Sequence, residues 1–238
     1  MLPASTTYGI LHLLLMLYLT GSVSSHFYDS PYFLRDIYVG DDFLDQFFFS
    51  DFNDPTHGRV VSNYVSKDEA LSKGLVYVEG SKFFMRADNE HRVPADARGR
   101  DSVRIQSNAS HGDSVIILDI SHMPTGCSTW PAFWTISATG PWPTGGEIDN
   151  GLPLLTATPT STLTKAVALI LQVDPMAVNL IIAGAVVLGQ GDYAGALYPS
   201  SGCPGICENF VNENPEAFTE AYWEINSLLV YTPDAYDY

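Results

Sequence analysis

Short strand-patterned segments separated by turn residues fill the first 150 positions, and that succession most constrains what this chain can fold into. Leu75-Val76-Tyr77-Val78-Glu79 and Lys82-Phe83-Phe84-Met85-Arg86 flank Gly80-Ser81, the signature of a two-residue hairpin. Ser102-Val103-Arg104-Ile105-Gln106 alternates polar with apolar, as a half-buried strand does. Ser114 to Ile120 reads as a more fully buried strand, Arg59 to Val65 as another, and Tyr222 to Tyr231 as the last. Residues 36–50 mix acids with phenylalanine, as an entry strand and loop, and Asp54-Pro55-Thr56-His57-Gly58 is a turn cluster. Helix signatures are few, the clearest being a single turn from Pro215 to Thr219. With 238 residues and no internal repeat, the pattern predicts one all-β domain of the larger kind, a sandwich or jelly roll.

Charge narrows the partners. The chain has 27 acidic against 11 basic residues, a net charge of −16. That excess repels phosphate backbones and anionic membrane surfaces, so neither nucleic acid nor a lipid surface is expected. It suits a neutral substrate such as a sugar polymer, and its simplest other role is a solubilising surface.

Residues 1–25 read as a secretory signal. The apolar run from Gly9 to Leu19 has the length of a signal core and is too short to span a bilayer, and Val23-Ser24-Ser25 offers small residues for cleavage before His26. The alternative is an uncleaved anchor. The mature chain, residues 26–238, is then a single secreted domain, expected to act as a monomer without membrane contact. Secretion implies an oxidising compartment. Of three cysteines, Cys203 and Cys207 are close enough in sequence for a tight loop to join them, which would leave Cys127 over. Asn108-Ala109-Ser110 is one glycosylation sequon.

The chain changes character beyond Asn150. From Pro143 to Asp192 there are fifty residues without an aromatic, in a chain that is 12% aromatic overall. Residues 156–164 are threonine-rich, like a glycosylated stalk. Ala166 to Leu188 is aliphatic but interrupted by Asp174-Pro175, which makes it a poor membrane helix. We read it as a short buried helix followed by a strand.

Chemistry-bearing residues concentrate just before that change. Trp130, Trp134 and Trp142 fall within thirteen residues. Pro143-Thr144-Gly145-Gly146 makes a turn into Glu147-Ile148-Asp149, which begins a strand. Residues two apart on a strand share a face, about 6.6–7 Å apart. Glu147 and Asp149 therefore share one surface near three indoles, a combination suited to stacking and cleaving sugars. Each residue also has a plainer reading. Glu147 could be a surface acid at a strand edge. Trp134 could pack in the core, whereas Trp142, beside the Gly-Gly turn, is placed to face sugar. Arg104 could pair with an acid, and His122 could be a satisfied structural side chain.

These residues resemble glycoside hydrolase family 16, in particular the fungal secreted endo-β-1,3(4)-glucanases or laminarinases. That family's signature is Glu-Ile-Asp-(x)-x-Glu, commonly after Trp-Pro-Asn-Gly-Gly, and the matching text here is Trp142-Pro-Thr-Gly-Gly-Glu147-Ile-Asp149. The resemblance also takes in Asp54-Pro-Thr-His-Gly-Arg59-Val60, Ser102-Val-Arg104-Ile105 and Gly191-Asp-Tyr-Ala-Gly-Ala196. It ends with Ser201-Gly-Cys203-Pro-Gly-Ile-Cys207 and Ala217 to Asn226, so that it spans roughly residues 35–151 and 191–231. It implies a concanavalin-A-like β-jelly roll with a glycan cleft on its concave face, and retaining hydrolysis of β-1,3 or mixed-linkage glucan; the sequence shows no recognisable cofactor or metal site. Glu147 would be the nucleophile and Asp149 would orient it. Trp130, Trp134 and Trp142 would line the cleft, with Arg104 as a hydrogen-bonding contact.

One departure matters. The family's general acid/base is a second Glu, two or three residues after the Asp according to whether a β-bulge is present. Gly151 and Leu152 stand at those positions, and neither can transfer a proton. Asn150-Gly151 reads as a turn before Pro153, so the strand is expected to stop there. Roughly a quarter of a typical family domain also has no counterpart between Asp149 and Gly191, which makes residues 152–190 atypical. The sequence thus predicts a family scaffold with an impaired site, arising from a misjoined splice junction or from a true pseudoenzyme. Reading the transcript across codons 149–191 separates the two.

Overall fold

The computed structural model describes residues 32–53, 62–94, 96–97, 99–149, 167–171, 177–186, 198 and 201–233. The expected signal (1–25), the threonine-rich tract, Gly151, Leu152 and the stretch 191–196 lie outside the described residues.

Alternating burial along the chain makes strands of most segments. In chain order the elements are β1 (Phe33–Tyr38), α1 (Asp42–Asp45), β2 (Phe47–Phe49), β3 (Phe52–Asn53), β4 (Ser62–Tyr64) and α2 (Lys67–Ser72). They continue with β5 (Val76–Glu79), β6 (Lys82–Arg86), β7 (Arg100–Ser102), β8 (Arg104–Ser107), β9 (Ser114–His122) and β10 (Trp130–Ser137). The remainder are β11 (Glu147–Asp149), β12 (Val167–Leu171), β13 (Val178–Val186), α3 (Cys207–Glu213), a 3₁₀ turn (Pro215–Phe218) and β14 (Tyr222–Thr232). Among the described residues no helix is long and apolar enough to cross a membrane.

Two antiparallel sheets carry the fold. A six-stranded sheet has the order β12-β9-β14-β6-β5, with β1 also on β14, and a five-stranded sheet has the order β11-β10-β13-β8-β2. A small third sheet joins β3, β4 and β7. The inward side chains of the two large sheets meet in one hydrophobic core. Ile116, Leu118, Trp223 and Val230 come from one sheet, and Ile105, Phe133, Leu180 and Ile182 from the other. The Trp223 indole N–H crosses the core to donate to the Ala183 carbonyl at 2.8 Å, which satisfies the one polar atom of that buried ring. A second, smaller core gathers Val211, Phe218, Ala221 and Tyr198. The fully buried Arg100 serves it: its guanidinium donates to the carbonyls of Val211, Asp88 and His91 and lies 4.7 Å from the Phe218 ring centre.

The all-β jelly roll expected from the sequence is the fold observed, including the 76–86 hairpin, where Gly80 has φ +63°. Three local readings change. The strand expected over 102–106 divides at Val103, because β7 joins the small sheet and β8 the five-stranded one. The helix expected early in 166–188 is strand β12, which gains a full ladder by pairing with residues 114–118 of β9, and β13 follows as the expected strand. The Trp-rich stretch read only for its chemistry is itself a central strand, β10.

Candidate active site

β10 divides its side chains between core and solvent. Pro131, Phe133, Thr135 and Ser137 are buried, while Trp130, Ala132, Trp134 and Ile136 are half-buried on the other face. β11 pairs antiparallel with it, setting Glu147 opposite Ile136, Ile148 opposite Thr135 and Asp149 opposite Trp134. Ile148 packs on the core, so positions 147 and 149 belong to the outer face, as the two-residue period requires. Glu147 is exposed there.

One register line crosses the sheet on this face: Asp149, Trp134, Ile181, Gln106 and Phe48. Four strand spacings make that line about 19 Å long. Arg104 stands two residues from Gln106 on β8. Its guanidinium carbon lies 5.1 Å from the centre of the Trp134 ring and 5.3 Å from that of Phe52, within cation–π range of both. Trp134, for which core and cleft were both open, is on the outer face. Trp130 shares it, four residues away and about 13 Å along the strand. Sequence reasoning missed Phe48 and Phe52. Phe48 is 60% exposed between two buried phenylalanines, and the run Phe47-Phe48-Phe49 held that signal, since strand alternation must turn its middle ring outward.

The β10–β11 connection places Trp142. Its backbone crosses itself at Gly140 and Gly145: a Cβ on Gly140 would lie 2.7 Å from Gly145 Cα, and one on Gly145 2.8 Å from the Gly140 carbonyl. Gly146 has φ +90°, a conformation that favours glycine. The Trp142–Pro143 peptide is cis. The Trp142 indole N–H donates to Glu147 Oε2 at 2.6 Å. The structure thus brings Glu147, Trp142, Trp134, Trp130 and Arg104 to one sheet face, with residue 149 in register beside them.

Other predicted residues fall elsewhere. His122 belongs to the six-stranded sheet. Its Nδ1 contacts the Tyr222 carbonyl at 2.7 Å, its Nε2 contacts Glu220 Oε2 at 3.2 Å, and its ring stacks on Tyr222, which fits the structural role. Asn108 is exposed just after β8. The expected Cys203–Cys207 bond is corrected: Cys203 bonds Cys127, with Cα atoms 5.7 Å apart. Cys207 begins α3 and points into the second core, 2% exposed, with its sulfur 3.3 Å from Ser128 Oγ, and burial pushes its thiol pKa up. Nearness in sequence misled, because the chain returns Cys127 from 76 residues away to the same place. Among the described residues no group of three or more His, Cys, Asp or Glu could hold a metal ion.

Comparison with known proteins gives the family. A family model described as the XgeA-like, catalytic GH16 domain matches residues 47–151 and 180–231. A probable glycosidase of Schizosaccharomyces pombe is 28% identical over 296 residues, taking in 84% of this chain and 69% of that one. Since 84% of 238 residues is far fewer than 296 positions, that relative carries segments with no counterpart here. The endo-1,3(4)-beta-glucanase xgeA of Emericella nidulans is 44% identical over 123 residues, half of this chain and 19% of that protein. Matches cover 40–46% of the length of probable endo-1,3(4)-beta-glucanases from Aspergillus species. Laminarinase 16A of Phanerochaete chrysosporium, solved with β-glucans in its donor and acceptor sites, superposes with a TM-score of 0.68. It is 27% identical, over 84% of this chain and 99% of that one. The matched residues contain all of β2, β8, β10 and β11, and β14 except its last residue, strands that hold the site face and close the core behind it; this chain belongs to glycoside hydrolase family 16.

Proposed function

We propose that the outer face of the five-stranded sheet binds β-1,3 or β-1,3(4)-glucan and that Glu147 attacks its glycosidic bond with retention of configuration. One observation carries this reading: an exposed carboxylate, held through one oxygen by an indole N–H, shares its sheet face with two further tryptophans. Flat indoles suit the apolar faces of sugar rings, and a net charge of −16 suits an uncharged polymer. The glucan named for the relatives supports the same substrate class. In this reading Glu147 forms a bond to the anomeric carbon as the bond to the leaving sugar oxygen breaks. Water then releases the glycosyl ester. Asp149 orients Glu147, and Arg104, braced against Trp134, holds a sugar hydroxyl. We read the chain as exported, with residues 1–25 as its signal, and as acting alone.

A second reading follows from the residues after Asp149. Retention needs two carboxyl groups about 5–5.5 Å apart, one of them donating and later accepting a proton. Asn150, Gly151 and Leu152 supply none. Without that group the leaving oxygen takes its proton from solvent, at a cost of about 10²–10⁴ in rate, and the protein binds glucan more than it cleaves it. Reducing-sugar release from laminarin tests both readings. We expect slow release that Glu147→Gln abolishes and Leu152→Glu raises by about 10²–10⁴. Fast release by the unaltered chain, unchanged in Leu152→Glu, would remove the second reading; release unchanged in Glu147→Gln would remove the first.

A further inference from the structure

Trp142 was read from the sequence as a surface for sugar, but the atom it presents to the site is its N–H. Trp142 is 41% exposed, and its Nε1 lies 2.6 Å from Glu147 Oε2. Two features fix that donor. The connection crosses itself at Gly140 and Gly145 too tightly for a Cβ at either position. On both sides of Trp142 the backbone is tied down: Gly145 N–H and Thr144 Oγ1–H donate to the Pro141 carbonyl, and Gly146 N–H donates to that of Pro143. An exposed Glu on a three-residue strand otherwise has several rotamers open to it. An indole N–H can only donate, so it selects the rotamer that offers it an oxygen, and it prefers the ionised carboxylate.

An attacking carboxylate gains when one oxygen is aimed at the reacting carbon and the other is held by a preorganised donor. We propose that Trp142 is a positioning residue for Glu147: its indole N–H, more than its ring face, anchors Oε2 and leaves Oε1 to attack the anomeric carbon. This rests on the reading of Glu147 as the nucleophile.

The test uses the full chain and a 2-deoxy-2-fluoro-β-laminaribioside whose leaving group, dinitrophenolate, departs without a proton. Attack by Glu147 forms the glycosyl ester and releases one dinitrophenolate, and the fluorine slows hydrolysis so that the ester accumulates. The rate of release and the dissociation constant for laminarihexaose are measured separately. Trp142→Phe keeps a ring and loses the N–H; we expect release to slow about tenfold or more while affinity stays within about twofold. Retained affinity also shows that the variant is folded. Trp142→Ala should slow release to the same degree and weaken binding further. Release at the unaltered rate in Trp142→Phe would overturn the inference, as would a loss of rate matched by an equal loss of affinity. Failure of the underlying reading looks different: Glu147→Gln would then react as fast as the unaltered chain, or the unaltered chain would not react at all.

Discussion

The two large sheets treat the polar and aromatic groups on their outer faces differently. On the six-stranded sheet several of these groups are matched to one another. Tyr77 stacks on Phe84 at 4.6 Å, His122 stacks on Tyr222 at 3.8 Å, and Lys82 pairs with Glu224 across the strands. Cross-strand pairs of this kind stabilise a sheet and leave little to offer a ligand. The five-stranded sheet instead presents an exposed carboxylate, two half-buried tryptophans, an arginine braced by rings, and a phenylalanine that is 60% exposed. Aromatic content alone would not have distinguished the two faces. What distinguishes them is what is gathered in one place: on the five-stranded sheet an exposed carboxylate bonded by an indole N–H shares a face with further indoles and a guanidinium.

Paired substitutions probe the difference between the two faces. The largest effect is expected from Trp134→Ala against Tyr77→Ala, each titrated with laminarihexaose. Losing a ring from the site face should weaken binding about tenfold or more, since an aromatic pair contributes about 0.5–1.5 kcal/mol beyond the area it buries. Tyr77→Ala should leave affinity within about twofold, and equal losses in the two variants would erase the distinction between the faces. A smaller effect is expected from Phe48→Ala, at the far end of the register line. It should cost a few-fold in affinity for long oligosaccharides and nothing for laminaribiose; a loss independent of chain length would take Phe48 off the path.

The smallest effect tests the seam between the sheets. His111 is fully buried, bridges Val178 of β13 through its backbone, and has Asp36 Oδ2 of β1 3.6 Å from Nδ1, too far for a hydrogen bond. Burial holds its pKa below the ordinary 6.5, with Asp36 opposing that shift and Arg35 adding to it. The unfolded chain therefore binds this proton more readily, so stability rises with pH. The contribution is complete above 6.5 and is lost as pH falls below it. Urea midpoints at pH 7.5 and 5.5 should differ less in His111→Leu than in the unaltered chain, and equal differences would exclude His111 as a source.

Much of this architecture was legible because strand alternation is a local signal. β5, β6, β9 and β14 stand where residue pattern put them, and Glu147-Ile148-Asp149 forms a strand with Glu147 exposed. Elements set by distant partners were not legible. Val167–Leu171 is aliphatic enough for a helix, and only the unfilled edge of β9 makes it a strand. Pro131 obscured β10, yet it sits next to a register shift between Trp130 and Ala132, where a proline is tolerated. The disulfide was misread because its two cysteines are 76 residues apart in sequence. The hydrogen bond from Trp142 to Glu147 was beyond reach for a similar reason: it depends on a backbone crossing at two glycines, and sequence shows the glycines but not the crossing.

Glu147 can act as proposed only if glucan lies on the outer face of the five-stranded sheet. A crystal structure of Glu147→Gln with laminaritetraose tests it most directly. The prediction is a sugar chain along the outer face of the five-stranded sheet, with an anomeric carbon about 3–3.5 Å from the residue-147 side chain and a ring against Trp134. Sugar bound on the six-stranded sheet, or crossing the site face with no anomeric carbon near residue 147, would contradict it.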